Sequence, residues 1–124
     1  MEVKIDEILS DNEVIISNKY GVAKAKWIGE LPEENSNKHI EVEIKNTLEW
    51  GVDILKSEEK MYNLGTEEGS FFLIGCLESY ETDGYTVVRC GESIIFLDTI
   101  GKPFFKKEYI KVTAQNVEFY DIRI

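Results

Sequence analysis

Histidine is almost absent from this chain of 124 residues: His39 is the only one. That excludes any Ser-His-Asp or Cys-His nucleophilic arrangement except one built on His39 itself. His39 opens a strand-like segment after a polar loop, so it is expected at the surface. The two cysteines, Cys76 and Cys90, together with one histidine fall short of the four ligands of a closed zinc site. Both lie in apolar strand-like runs, where a reduced thiol acts as a small hydrophobe, and both are expected to be reduced and buried. If the hairpin loop between them is the three residues Thr82-Asp83-Gly84, they face each other; if it is Asp83-Gly84 alone, they point to opposite faces. No glycine pattern of the phosphate-cradling kind occurs. No apolar run approaches the ~18 residues of a membrane span, and Met1 leads straight into Glu2-Val3-Lys4-Ile5 without a signal-peptide core, so a cytoplasmic location is expected.

Basic residues are also scarce, with 14 Lys and Arg against 24 Asp and Glu and a net charge of −10. The acidity is spread over both halves of the chain. A field of that sign repels phosphate backbones and anionic lipid, which argues against nucleic acid or membrane as ligand and for a basic protein. The carboxylate pairs Glu33-Glu34, Glu58-Glu59 and Glu67-Glu68 are sequence neighbours in polar stretches and read as solvated charge, not as an acid/base pair flanking a substrate. The Thr82-Asp83-Gly84 turn lacks the alternating ligands of a calcium loop. No catalytic residue, metal site or cofactor is expected.

What the chain does have is strand-forming sequence. Apolar residues make up 43% and aromatics 11%, with only two prolines, which is the composition of a packed globular protein. Runs of five to eight β-branched and aromatic residues alternate with turn chemistry at Asp11-Asn12, Lys19-Tyr20-Gly21, Asp83-Gly84 and Gly91. They predict an all-β fold with antiparallel strands at 2–9, 13–18, 21–28, 38–45, 47–54, 70–80, 85–90, 93–99, 108–114 and 116–123. The run Phe71–Leu77 is apolar at both parities and belongs in the centre of the molecule. Ser57–Gly65, with Ser57 as N-cap and Gly65 as stop, predicts at most one short helix near 57–64.

The two halves resemble each other. Ile15-Ile16, Val22, Ile28 and Gly29 recur 72 positions later as Val87-Val88, Ile94, Ile100 and Gly101, and Pro32 recurs as Pro103 at an offset one shorter. Ile40, Val42, Asn46, Trp50 and Val52 recur 70 positions later as Ile110, Val112, Asn116, Tyr120 and Ile122. This order predicts an internal duplication: a first β repeat over 1–54, a connector over 55–69 and a second β repeat over 70–124, each repeat having about five short strands. Such repeats build either tandem small SH3-like or OB-like barrels or one ten-stranded sandwich or barrel.

Function then falls on the loops, where a duplicated scaffold is free to diverge. The first long loop, Gly29–Lys38, is acidic; its counterpart, Gly101–Lys107, is basic and carries Phe104 and Phe105. The expectation is an acidic, non-catalytic module for protein–protein interaction. Its profile resembles that of bacterial immunity proteins, inhibitors that cover the active site of a basic, nuclease-like toxin. Glu30, Glu33 and Glu34 are the expected partner-binding carboxylates, with Glu58 and Glu59 next. The alternative is a structural or assembly subunit of phage or secretion-system type, making homo-oligomeric contacts through Phe104 and Phe105.

Overall fold

Side chains alternate between buried and exposed along most strands, as a sheet with one covered face requires. The computed structural model describes residues 1–122, so the ends of the predicted strand 116–123 and of the repeat 70–124 lie outside the described residues. Twelve strands run through them: β1 (Glu2–Ile8), β2 (Glu13–Asn18), β3 (Gly21–Ile28), β4 (Asn37–Ile44), β5 (Leu48–Glu49), β6 (Ile54–Lys56), β7 (Asn63–Glu67), β8 (Ser70–Tyr80), β9 (Tyr85–Cys90), β10 (Ser93–Ile100), β11 (Tyr109–Ala114) and β12 (Val117–Asp121). The fold is all-β; one 3₁₀ turn at Ser10–Asn12 is the helical element among the described residues. β8 carries the doubly apolar run, and Phe71, Leu73, Ile74 and Leu77 are buried along it.

The halves repeat at the level of register. β1 pairs β2 through Lys4↔Ser17 and Ile5↔Ile16, slips at a bulge between Ile5 and Glu7, and resumes at Glu7↔Ile15. Seventy-two residues on, β8 pairs β9 through Cys76↔Arg89 and Leu77↔Val88, slips between Leu77 and Ser79, and resumes at Ser79↔Val87. The ladders β2–β3 and β9–β10 match in the same way, as do β1–β4 and β8–β11. A bulge reproduced at the same place is a specific feature, because one extra residue re-aims every side chain beyond it.

The fifth strand of each repeat crosses over. β12, at the end of the second half, runs parallel to β3 and antiparallel to β4, closing the ring β1–β2–β3–β12–β4 into a five-stranded barrel. Its Phe119, opposite Trp27 and Val42, is fully buried. In return, β5 and β6 of the first half pair with β10 and β11, the outer strands of the sheet β10–β9–β8–β11, and an isolated bridge, Trp50↔Ile54, links them across their turn. Leu48 and Ile54, which face no solvent, are the first half's contribution to that core. Each such burial contributes about 1.5–3 kcal/mol, so the exchange fastens one half to the other.

Three expectations need correction. The strand predicted over 47–54 is broken: β5 ends at Glu49, and a turn with Gly51 at φ 87° and the Asp53 carboxylate accepting the Glu49 N–H (2.8 Å) precedes β6. The helix predicted near 57–64 does not form; 57–62 is irregular, and Asn63 starts β7. A helix there would forfeit the β7–β8 ladder, in which Gly65 sits opposite Phe72 and leaves room for its ring. Third, the expected offset of 70 does not hold. β1–β4 and β8–β11 keep an offset of 72, so Ile40 and Val42 correspond to Val112 and Ala114 and not to Ile110 and Val112, and the equivalent of Tyr120 is Glu49 and not Trp50. Leu48 and Glu49 pair with Thr99 and Ile100, as Phe119 and Tyr120 pair with Trp27 and Ile28.

Candidate functional site

The loops between the third and fourth strands of the two repeats have one backbone and two chemistries. In the first, Asn35 N–H donates to the Ile5 carbonyl (2.6 Å) and Ile5 N–H to the Ser36 carbonyl (2.8 Å). In the second, Lys107 N–H donates to Leu77 (2.7 Å) and Leu77 N–H to Glu108 (2.9 Å), again 72 positions later. Gly29 and Gly101 open the loops at φ 97° and 100°, a conformation open mainly to glycine, and Asn35 and Lys107 both adopt left-handed geometry at φ 65° and 69°. The loops are therefore equal in length, and position 32 corresponds to 104, not to Pro103.

At that position the two loops plug their rings differently. Pro32 is buried in the first. Phe104 in the second is half-buried and packs edge-on against Trp50 (centroids 5.0 Å apart), with the Lys56 ammonium 5.9 Å from its ring centre. One residue further out is the tip, Glu33 in the first loop and Phe105 in the second, the latter 75% exposed. Of the two phenylalanines, then, one closes the core and the other meets solvent.

The predicted acidic residues are not equivalent. Glu30 and Glu33 are exposed and line a groove of about 610 Å³, together with Lys38, His39 and Asp121. His39 is exposed, as expected of a lone polar residue at a strand start. Glu34 is also exposed, but its Oε1 accepts the Ile8 N–H (3.0 Å) at the end of β1, so it has a structural duty. Glu58 and Glu59 are exposed on the irregular segment after β6 and line a separate groove of about 280 Å³ with Lys56, Glu67 and Lys111. Lys111 is already held by Glu67 at 3.0 Å. The two acidic groups share no lining residue, so they form two surfaces and not one.

Cys76 and Cys90 are free thiols, but only Cys90 is buried, pointing into the core; Cys76 is half-buried opposite Arg89. Although the hairpin loop is Thr82-Asp83-Gly84, the bulge between Leu77 and Ser79 turns the two thiols to opposite faces instead of toward each other. Burial raises both thiols, Cys90 to about 11, which suppresses the reactive thiolate. Among the described residues no group of three or more His, Cys, Asp or Glu side chains is placed to hold a metal ion, and no helix is long and apolar enough to cross a membrane.

Sequence reasoning missed Tyr85 and Phe96, whose exposed rings stack 5.6 Å apart at an interplanar angle of 16° on β9 and β10. The signal was Ser93-Ile94-Ile95-Phe96-Leu97, apolar at both parities in a hairpin with only one covered face. Comparison of the chain with protein-family models, curated proteins and solved structures finds no match.

Proposed function

We propose that this chain is a non-catalytic protein-binding module that covers a basic partner, in the manner of an immunity or inhibitor protein directed at a cationic, nuclease-like toxin. The observation that carries this reading is the pair of equivalent loops: on a backbone held by the same hydrogen bonds, one presents Glu30 and Glu33 beside a groove and the other presents Phe105 among lysines. Glu33 and Phe105, at the two tips, are both exposed, so the difference lies in what each loop meets. A net charge of −10 steers a cationic partner toward the molecule and repels nucleic acid.

The test is association kinetics against a panel of cationic nucleases. Glu33→Lys should slow association with a bound nuclease about tenfold at low ionic strength, and the difference should shrink as the Debye length falls to ~8 Å near 0.15 M salt. Its unfolding midpoint should not move, because exposed loop charges contribute little stability. Tight retention of DNA by the purified protein at physiological salt would overturn the reading. The exposed Phe105 ring favours a second reading, self-assembly through that tip. Concentration-dependent sedimentation that Phe105→Ser abolishes would support it.

A further inference from the structure

The outer face of β9 and β10 differs from the face that the same fold builds in the first half. Across β9 and β10 it carries Tyr85 and Val87, then Ile94, Phe96, Asp98 and Ile100. The corresponding residues of β2 and β3, 72 positions earlier, are Glu13 and Ile15, then Val22, Lys24, Lys26 and Ile28. The stacked pair Tyr85–Phe96 thus stands where the first half has Glu13 and Lys24. Since the first half folds the same ladder with charges at these positions, the fold does not demand aromatic rings here. Tyr85 is 42% exposed, Ile94 44% and Phe96 48%, a contiguous apolar strip on an otherwise charged molecule.

The surroundings of the strip are acidic. Tyr85, Phe96 and Asp98 line a groove of about 290 Å³ whose other wall carries Glu41 and Glu43 of β4. The nearby cations are already engaged, Lys45 by Glu43 (3.1 Å) and Glu118 (3.8 Å), Arg89 by Glu78. Asp98 has no ion-pair partner among the described residues. On its side away from β9, β10 pairs only at Thr99 and Ile100 with β5.

We infer that this face is a docking surface for an extended segment of a partner protein in which apolar and basic residues alternate. The apolar residues of such a segment cover Tyr85, Ile94 and Phe96, and its lysines or arginines meet Asp98, Glu41 and Glu43. A second copy of this chain, itself strongly acidic, is disfavoured by the rim, and so is single-stranded nucleic acid, although stacked rings alone would suit its bases. The inference rests on the reading of a basic partner and adds a docking surface for it, lined by residues other than those of the Glu30–Glu33 groove.

The experiment titrates the full-length ¹⁵N-labelled protein with a synthetic octapeptide of alternating lysine and valine, with an alternating glutamate–valine peptide and a thymidine 20-mer as comparisons. The lysine–valine peptide should shift the amides of Tyr85, Ile94, Phe96 and Asp98. The double variant Tyr85→Glu/Phe96→Lys, which installs the residues the first half tolerates, should bind at least tenfold more weakly with an unchanged thermal transition. Should it fail to fold, Phe96→Ser alone serves the same comparison. Equal binding by the glutamate–valine peptide or the thymidine strand, no shift with any peptide, or a dimer that Phe96→Ser dissolves would each overturn the inference. Lysine–valine shifts confined to the Glu30–Asn35 loop and indifferent to the double variant would overturn it too, while leaving the basic-partner reading in place.

Discussion

Thr99 shows how a single side chain ties the halves together. Its hydroxyl accepts the Trp50 indole N–H (2.9 Å), donates to the Gly84 carbonyl (2.8 Å) and lies 3.2 Å from the Thr86 hydroxyl, all in a buried site. Trp50 belongs to the first half; the other three belong to the second. Thr99→Val keeps the shape and strands the indole donor, a loss of about 1–3 kcal/mol measurable by urea unfolding. A loss below 0.5 kcal/mol would mean the bond contributes nothing net. Cys90 supplies a pH test. Its thiol rises from an ordinary 9.0 to about 11 because burial penalises the thiolate. A raised folded-state pKa contributes stability that is complete below pH 9 and is lost as pH climbs through 11. The unfolding midpoint of the protein should therefore drop more between pH 8 and pH 10.5 than that of Cys90→Ala. An equal drop would place the Cys90 titration near its unfolded value.

At the scale of elements, the exchanged strands decide stability. Phe119 is in the second half of the sequence, yet its neighbours across the ladder are Trp27 and Val42. Phe119→Ala should cost about 3–5 kcal/mol and raise hydrogen exchange first in β3 and β4. Exchange rising first in β9 and β10 would contradict the crossover. The strands themselves were largely legible: β2, β3, β8 and β9 follow from alternation bounded by Asp, Asn and Gly turns. So was the contrast between the acidic Gly29 loop and the basic, phenylalanine-bearing Gly101 loop. Alternation cannot foresee a break such as Trp50–Asp53, because a turn stabilised by one carboxylate leaves the apolar period intact on both sides. Nor can it foresee β7, where Asn63, Gly65 and Thr66 carry little hydrophobic pattern and the strand exists through its partners Phe71, Phe72 and Leu73. The crossover of β12 and of β5–β6 is a choice among edges far apart in sequence, and each half alone offers the same edges. In the candidate site, the charge of Glu30 and Glu33 was readable, whereas the duty of Glu34 to Ile8 and the Tyr85–Phe96 stack emerge only from register.

For the molecule as a whole, two repeats with the same ladders present different surfaces: an acidic loop and a charged outer face in the first, a lysine–phenylalanine loop and an aromatic face in the second. Both surfaces depend on the repeats being one interlocked body, since the strands of each half pair with a segment from the other half. The direct measurement is to divide the chain in the irregular segment between β6 and β7 and express residues 1–60 and 61–124 separately. Each fragment alone should lack a cooperative thermal transition, and mixing them should restore the β-sheet circular dichroism and near-native unfolding of the intact chain at a one-to-one ratio. Two fragments that each fold and melt cooperatively in isolation, with no change on mixing, would contradict the interlocked fold.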